Sequence, residues 1–481
     1  MMSMTAIAPE AWIAGGALFV VLLEALRPFV KDRVLAWAIP ASTLVALGLA
    51  AMTASFWRGS SQGIFFDGTL VVDPLSRLLV VAVSVVALLV VIYSVGDLER
   101  HDLGHGEYYA LLLTATLGIL AIVTGADVLV LFLGIELLSL SLYAMVSIDR
   151  ERAIAAEAAM KYFFLGAIAS GILLYGLSLL YGLSGTLSLV TLPRMILGLG
   201  GGDHLLFFFA TTFVIVALAF KFGAAPFHMW VPDVYEGSPT PITLLVATIP
   251  ELGAIALFVR LLVVGLHPLM SQWAPLVLGV AILSLLIGNL AALAQSNFKR
   301  LLAYSAIAHV GFILLGIATG TIEGEIAAIY YTVIYVSMTL LAFGLLLALR
   351  ARGRDVESLD DLAGLSQVHP WWSLLMLFAM FSLAGVPPFI GFWAKLAILR
   401  ALLGNGEAWV AVLAVVMAVV GAFYYLRVVK IMYFDRIANE KSVPAPWGVP
   451  EIVLSVNGCA LFVLGLMPDA LWQLCAWAVH H

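Results

Sequence analysis

The sequence has 481 residues, of which 63% are hydrophobic and only 11% carry a charged side chain. Soluble proteins are about 45–50% apolar and about 25% charged, so this composition excludes a soluble enzyme with one anchor, a disordered chain and a coiled coil. The net charge of −6, without a basic cluster, argues against nucleic-acid binding. We therefore expect an all-α polytopic membrane protein.

Apolar runs long enough to cross a bilayer recur along the whole chain. A transmembrane helix needs about 20 mainly apolar residues, and these runs lack the alternating pattern of outer-membrane β-strands. We expect the first run to be a spanning helix and not a signal sequence, because no basic segment precedes it. The sequence predicts about fourteen spans, at 9–29, 35–56, 74–96, 107–124, 126–147, 157–183, 205–231, 240–265, 274–295, 300–319, 325–349, 372–402, 408–433 and 449–478.

Lysine and arginine set the expected orientation of these spans. With the N-terminus outside, the inner loops carry an about threefold excess of basic residues over the outer loops. This bias favours a topology in which both termini lie on the outer side. The longest polar connections, near 97–106 and 350–370, are too short to fold alone, so the chain is predicted to be a single membrane domain.

Two features that often indicate cofactors are uninformative here. Cys459 and Cys475 are too far apart for a CxxC pair and do not fit an iron–sulfur framework. The glycines at 198 and 200–202 match neither a dinucleotide fingerprint nor a P-loop, and are interpreted as a loop. We predict no metal and no bound cofactor in this chain, since two membrane histidines are weak support for haem.

Glu136 and Lys161 are the first ionisable residues predicted to lie at membrane depth. Such groups are costly in a bilayer and are functional candidates by default. Glu136 is too short to reach the surface, so it must face water, a proton or a partner. Lys161 has two interpretations: it reaches the inner surface or pairs with Glu157 four residues earlier, or it pairs with Glu136 across a helix interface.

Two spans carry a lysine beside a proline–glycine interruption. Lys221 precedes the segment FGAAPFH, in which Pro226 disrupts the helix and His228 is a candidate proton relay. Lys395 follows the segment GVPPFIGFWA. Broken helices at membrane depth are tolerated where they line a cavity, and transporters use them at coupling sites. The alternative interpretation is that Lys221 snorkels from the end of a shorter helix.

Glu251 and His309 complete the set of candidates. Glu251 lies near the middle of its span, where a structural alternative is an ion pair with Arg260. His309 lies midway along residues 301–320, where a hydrogen-bonded interior histidine is an equally reasonable interpretation. A row of Glu, Lys and His without an aromatic cage favours protons, or Na⁺, as the transported species.

The two broken helices are five spans apart. An odd offset inverts topology, so the pattern predicts two inverted five-helix repeats. We expect N-terminal helices 1–3 in residues 1–106, the first repeat in 107–265, the second in 274–433 and a last helix in 449–478.

Long motifs resemble the antiporter-like membrane subunits of respiratory complex I, the proton-pumping NADH:quinone oxidoreductase. The resemblance covers nearly the whole chain and is greatest to the N-type subunits, because of the PDVYEG form of the third motif. The motifs are ELLSLSLY at 136–143, EAAMKYFFLGA at 157–167, FHMWVPDVYEGSPTP at 227–241, GNL at 288–290 with AQSNFKRLLAYS at 294–305, and the region around 387–395.

The resemblance implies a role for each candidate residue. Glu136 would modulate Lys161 and the neighbouring lysine, Lys221 would be the lysine of the first channel and Lys395 the terminal lysine of the second. The remaining candidates are His228 and His309, expected along a hydrated axis, and Glu251.

Glu251 departs from the family pattern. The local pattern ATxPxLxA aligns without a gap, yet a glutamate stands where the family usually has a central lysine. A carboxyl group can carry a proton if its environment keeps it protonated. The exchange leaves open whether Glu251 continues the proton path or interrupts it.

The resemblance also implies partners and location. It predicts a proton-translocating subunit without a redox centre, in the bacterial cytoplasmic membrane, beside other complex I membrane subunits and lipids. Flavin, iron–sulfur clusters and quinone are expected in partner subunits. The alternatives are a stand-alone Mrp-type cation/proton antiporter subunit, which would purify alone, and a scaffold that has lost transport.

Overall fold

The computed structural model of the chain describes residues 2–57, 62–198, 204–351, 354–436 and 448–480. The glycines predicted to form a loop at 200–202 lie outside these ranges. The helices are α1 Met2–Ala6, α2 Ala8–Ala25, α3 Asp32–Ser55, α4 Pro74–Arg100, α5 Gly106–Thr124, α6 Val128–Val146, α7 Ala153–Ser184, α8 Leu192–Gly198, α9 His204–Lys221, α10 Trp230–Gly237, α11 Thr240–Val246, α12 Ile249–Leu257, α13 Met270–Leu293, α14 Phe298–Ala318, α15 Ile322–Ala348, α16 Leu365–Val368, α17 Pro370–Ala384, α18 Ile390–Gly404, α19 Ala408–Phe434, α20 Val449–Leu466 and α21 Pro468–His480.

Short strands and tighter turns connect some of these helices. Strands β1 (Gly63–Phe65) and β2 (Leu70–Val72) form an antiparallel hairpin, as do β3 (Arg350–Ala351) and β4 (Arg354–Asp355). A π-helix, Phe258–Gly265, continues from α12, and 3₁₀ turns cover Phe66–Gly68, His267–Leu269 and Leu359–Leu362.

The chain is an all-α, multi-pass membrane protein, as its composition predicts. Within the described ranges, 12 helices or helix pairs are long and apolar enough to span a bilayer, and two further apolar helices, Leu205–Lys221 and Pro370–Ala384, are shorter. The predicted spans lie on these helices with ends that differ by a few residues. The two inverted repeats stay a prediction.

Both predicted broken helices are confirmed. Helix α9 ends at Lys221 and α10 begins at Trp230, while α17 ends at Ala384 and α18 begins at Ile390. A glycine in the left-handed conformation follows each first half, Gly223 with φ +63° and Gly385 with φ +81°. Only glycine adopts this conformation without strain, and it is the usual end signal of a helix.

Two spans are interrupted where the sequence predicted continuous helices. The span at 240–265 breaks at Ala247–Thr248 between α11 and α12, and then widens into the π-helix. The predicted last span at 449–478 consists of α20 and α21, which are separated at Met467. Proline explains the latter, because Pro468 has no backbone N–H and is favoured at the first position of a new helix.

The helices that carry Glu251 and His309 form the centre of the molecule. The most apolar windows of Thr240–Gly265, Phe298–Ala318 and Ile322–Ala348 are 94%, 89% and 83% buried, against 28% for Ala8–Ala25. Close helix pairs frame this centre. A Cβ on Gly118 or Gly134 would lie 2.7 Å from the other residue's carbonyl oxygen, so the glycines let α5 and α6 pack backbone to backbone.

Candidate functional site

Lys221 ends the first half of the broken helix and points at two neighbouring helices. Its Nζ donates hydrogen bonds to Ser139 Oγ of α6 at 2.8 Å and to Ser170 Oγ of α7 at 3.3 Å. No carboxylate lies within ion-pair distance of this ammonium among the described residues. Two neutral hydroxyls therefore hold Lys221 in place, and neither neutralises its charge.

Glu136 lies one turn before Ser139 on α6, the residue whose hydroxyl accepts from Lys221. Its Oε1 is buried and has no hydrogen-bond partner among the residues described. An unpartnered carboxylate oxygen and the acceptor of Lys221 therefore lie one turn apart on the same helix.

Lys161 does not pair with Glu136. Its Nζ lies 2.8 Å from Glu157 Oε1 and 2.8 Å from Asp233 Oδ2, and its side chain is 44% exposed. The interpretation that paired it with Glu157 is confirmed, and the pair with Glu136 is wrong. The physical reason is that Glu157 is one turn away on the same helix face, and Asp233 on α10 approaches from the same side.

Glu251 lies in the first turn of α12 and is 7% exposed. Its Oε2 finds no hydrogen-bond partner in the described part of the chain. Arg260 does not reach it, so the predicted structural ion pair is wrong. Arg260 instead binds Asp73 through both guanidinium nitrogens, at 2.6 and 2.9 Å.

Asp73 precedes α4 and also caps that helix by accepting from the Ser76 backbone N–H at 2.7 Å. Burial alone would raise the pKa of Asp73, but the charge and hydrogen bonds of Arg260 outweigh it and hold the pKa below its ordinary value. This buried pair joins the start of α4 to the π-helix.

A small cavity connects Glu251 to Lys221. It has room for about one water molecule, and its walls come from the first broken span, from the α11–α12 span and from α14. The α14 residues are Ala306, Ile307 and Val310. Both ionisable groups therefore line the same cavity.

His309 lies on α14 next to that wall, and both of its ring nitrogens are hydrogen-bonded. Nδ1 lies 2.7 Å from the Tyr331 hydroxyl and Nε2 lies 3.0 Å from the Tyr425 hydroxyl. The ring also stacks on Tyr335 at a centroid distance of 4.9 Å. A neutral imidazole donates through one nitrogen and accepts through the other, so the two tyrosines permit either tautomer.

Lys395 lies in the second half of the other broken span. Its Nζ donates to the carbonyl oxygens of Leu383 and Ala384 at 2.9 and 2.8 Å, which are the last carbonyls of α17. A Cβ on Gly385 would lie 2.8 Å from Lys395 Cδ. The break therefore provides both the acceptors and the room for this lysine, which is 9% exposed.

A second small cavity connects His309 to Lys395. Its walls include Phe312 of α14 and Tyr425 of α19. Helix α14 thus borders both cavities, through Ala306, Ile307 and Val310 on one side and through Ala308, His309 and Phe312 on the other. Of the predicted row, Lys221 and Glu251 thus line one cavity and His309 and Lys395 line the other, while Glu136 and Lys161 line neither.

His228 is half-buried in the segment between α9 and α10, with its ring centroid 6.4 Å from that of Tyr304. It does not line the cavity shared by Lys221 and Glu251. His228 is seven residues from Lys221, a spacing that would put both on one face of a continuous helix, but the chain is not helical between them.

Several polar groups at the site escaped prediction from sequence. They are hydroxyl groups and one amide within apolar helices, and they act by contacts with residues far away in the chain. Ser139 and Asn289 lie inside motifs that the sequence analysis quoted, which was the available signal, while Ser170, Tyr331 and Tyr425 had none. The full set is Ser139, Ser170, Asn289, Tyr331, Tyr335 and Tyr425.

Among the described residues, one group has the composition of a metal site, and it is away from this row. Asp97, His101 and Asp355 offer ligand atoms within 4.8 Å of one another at the end of α4. Arg100 lies 3.7 Å from Asp97, which provides a competing positive charge.

Comparisons with known proteins decide the family. The family described as NADH:quinone oxidoreductase/Mrp antiporter, TM, matches residues 125–421. NADH-quinone oxidoreductase subunit N of Thioalkalivibrio sulfidiphilus is 46% identical over 98% of this chain and 97% of that protein. The chain belongs to the family of NADH-quinone oxidoreductase N subunits. The N subunit of Acidithiobacillus ferrooxidans is 44% identical, over 98% of this chain and 97% of its own length.

Solved structures show the same fold. A chain of respiratory complex I from Thermus thermophilus is 33% identical to this chain and superposes on it with a TM-score of 0.79. The match covers 97% of this chain and 99% of the Thermus chain. A chain of the archaeal membrane-bound sulfane sulfur reductase is 26% identical, with a TM-score of 0.85 over 99% and 97%. A chain of the Mrp complex from Dietzia is 21% identical with a TM-score of 0.79 over 99% and 97%, a likeness of fold alone.

Proposed function

We propose that this chain carries protons across the bacterial cytoplasmic membrane as part of NADH:quinone oxidoreductase, along the row Glu136, Lys221, Glu251, His309 and Lys395. The observation that supports this proposal most directly is the pair of small cavities on the two sides of α14, each with two ionisable groups of the row in its wall. Ionisable groups inside a bilayer are expensive to keep unless they serve transport.

The geometry assigns a task to each group. Lys221, held by hydroxyls alone, exchanges a proton with Glu251 through a water in the shared cavity. His309 relays the proton between its two tyrosine-bonded nitrogens by exchanging tautomers. Lys395 is the terminal carrier, and the carbonyl oxygens of Leu383 and Ala384 stabilise its charged form.

Glu136 acts as the modulator of this row. A negative charge on Glu136 favours the ammonium form of Lys221, and its removal favours release of the proton. Moving one charge against 100 mV requires about 2.3 kcal/mol, and a change in one nearby charge in a desolvated site is of that size. Energy for the change comes from quinone reduction in partner subunits.

Glu251 continues the path in this proposal. Glu251 lines the cavity that it shares with Lys221, and its Oε2 has no hydrogen-bond partner among the described residues, so it can bind a proton where the family usually has a lysine. A charged Glu251 beside a charged Lys221 and a neutral Glu251 beside a neutral Lys221 differ only by the transfer of one proton from the ammonium to the carboxylate. The pair therefore exchanges protons without a net charge change in the cavity.

Partner subunits complete the activity. We propose that the chain holds no redox centre, that flavin, iron–sulfur clusters and quinone are bound by other subunits, and that neighbouring antiporter-like and small membrane subunits and lipids contact its outer helices. We also propose that both termini lie on the outer side, which the distribution of lysine and arginine favours.

Pumping in the assembled complex tests the proposal. Inverted membrane vesicles with Glu136→Gln or Lys221→Ala are expected to oxidise NADH but to acidify their interior more slowly than wild type. Lys430→Ala is the matched control, because this lysine is 65% exposed and pairs with Asp435 at the surface. Near-normal pumping in both variants, with normal assembly, would contradict the assignment.

The role of Glu251 has its own test. Glu251→Ala is expected to abolish most pumping and Glu251→Lys to retain part of it, since lysine is the usual residue of the family at this position. Full retention after Glu251→Ala would make this residue structural only.

A further inference from the structure

The second half of the first broken span, α10, is held by cations from two other helices. Asp233 Oδ2 accepts from Lys161 of α7 at 2.8 Å, and Asp233 Oδ1 accepts from Arg300 of α14 at 3.0 Å. The same Arg300 nitrogen lies 2.8 Å from Glu236 Oε2. Both carboxylates of this eight-residue helix are thus paired.

The C-terminal end of α10 has a third cationic contact. Lys299, which is 3% exposed, donates from Nζ to the carbonyl oxygen of Ser238 at 2.7 Å. Ser238 caps α10, so the ammonium lies at the negative end of the helix dipole. Close packing supplements the charges, because a Cβ on Gly237 would lie 2.6 Å from that of Ala158 on α7.

The N-terminal end of α10 contacts the peptide next to Lys221. Trp230 Nε1 donates to the carbonyl oxygen of Phe220 at 2.9 Å. The indole also stacks on Tyr162, the residue after Lys161, at 4.5 Å and 14° between planes. Trp230 and Asp233, three residues apart, therefore face the same pair of α7 residues.

An isolated helix of eight residues is not stable, because nucleation costs more than so few hydrogen bonds return. The position of α10 must therefore come from its neighbours, through the packing of its buried side chains and through the polar contacts at its two ends. A shift of α10 toward or away from α7 moves Trp230, and with it the Phe220 carbonyl that precedes Lys221.

We propose that Lys161, Arg300 and Asp233 form an ionic clamp on α10 that positions Lys221 through the Trp230–Phe220 hydrogen bond. Lys161 is then a positioning residue and not a proton carrier. It is shared between Glu157 and Asp233 and lies beside the exposed residues Met160 and Phe164. A charge brought to this face of α7 redistributes Lys161 between its two carboxylates and loosens the clamp. The functional consequence rests on the proposed role of Lys221.

A thiol at position 221 reports the effect directly. The chain with Cys459→Ala, Cys475→Ala and Lys221→Cys is assembled into the complex in native membranes, and the rate of labelling by a small neutral maleimide is measured. Added to this background, Asp233→Asn and Trp230→Phe are each expected to raise the rate by about fivefold, the factor that corresponds to about 1 kcal/mol for one hydrogen bond.

Glu157→Gln is the matched control, since it removes the other carboxylate of Lys161 and leaves every contact of α10 in place. Its labelling rate is expected to stay at the background value. Trp230→Phe keeps an aromatic ring for Tyr162 and loses only the donor, so it remains informative where Asp233→Asn fails to assemble. The proposal is overturned if both Asp233→Asn and Trp230→Phe are labelled at the same rate as the Glu157→Gln control.

A second measurement uses the intact Lys221. Asp233→Asn is expected to lower the number of protons pumped per NADH, and Asp233→Glu to restore it. If Lys221→Ala pumps normally, the proton path is wrong while the labelling result still decides the clamp. If Asp233→Asn pumps normally although Lys221→Ala does not, the clamp fails and the path stands.

Discussion

Replacing Asp73 with alanine leaves a buried arginine without its counter-charge. In the wild-type chain, the Arg260 side chain is 7% exposed and binds both carboxylate oxygens of Asp73. In the variant, its remaining partners would be Ser76 Oγ, at 2.8 Å, and the Val123 carbonyl oxygen, at 3.3 Å. Two neutral groups cannot replace the lost negative charge. The complex with this variant is expected to be markedly less stable.

The size of the loss follows from the burial of the pair. Removing one partner of a buried ion pair costs about 3–5 kcal/mol, and because Asp73 is 30% exposed we expect the lower end, about 3 kcal/mol. Asp73→Ala with Arg260→Leu removes the unpaired charge as well. That double variant should lose only the helix cap, about 1 kcal/mol.

The assay is the rate of irreversible heat inactivation of the purified complex. A loss of about 3 kcal/mol that falls on the native state alone speeds inactivation by about two orders of magnitude, since about 1.4 kcal/mol corresponds to a factor of ten. Arg194→Leu is the control, because this arginine is exposed. The reasoning is refuted if Asp73→Ala inactivates like wild type, or if the double variant is as labile as the single one.

Three further predictions concern pH, the second broken span and the histidine. Because the pKa of Asp73 is held below its ordinary value, the ionised carboxylate stabilises the folded chain above the unfolded-state pKa of about 3.9, and this stabilisation is lost as the pH falls below that value. In a pH series, the inactivation rate of wild type should therefore approach that of Asp73→Asn in acid. Gly385→Ala introduces strain of about 1–3 kcal/mol at a positive φ and a methyl group 2.8 Å from Lys395 Cδ, so pumping per NADH should fall in the vesicle assay. Tyr331→Phe removes the hydroxyl 2.7 Å from His309 Nδ1 and is expected to slow pumping without loss of assembly, and an unchanged rate would argue against tautomer exchange at His309.

The spans and their breaks could be predicted from sequence because they are local properties. Each span is a continuous apolar run, so its existence needs no knowledge of its neighbours. Proline removes a backbone N–H donor and glycine permits a positive φ. Both residue types occur within a few residues after Lys221 and after Ala384, which is why these two breaks were predictable. The break at Ala247–Thr248 was missed, although Pro250 follows it in the first turn of α12.

The partners of the charged residues could be predicted only where they lie one turn away. Lys161 and Glu157 are an i, i+4 pair that the sequence displays, whereas Asp233 is 72 residues distant. Arg260 was a reasonable partner for Glu251 on the same span, but it binds Asp73, 187 residues away in the chain. A side chain at membrane depth pairs with whichever charge packing brings near it, and packing is a long-range property.

The sequence by itself indicated a polytopic membrane chain of the complex I antiporter-like family and predicted seven ionisable residues at membrane depth. Only the tertiary structure decided which of them share a cavity. It separates Lys161 from Glu136, places Glu251 and Lys221 in the wall of one cavity, and encloses His309 with two tyrosines. The physical reason is that composition and periodicity report how each helix meets the bilayer, whereas the contacts of a charge depend on how the helices meet one another.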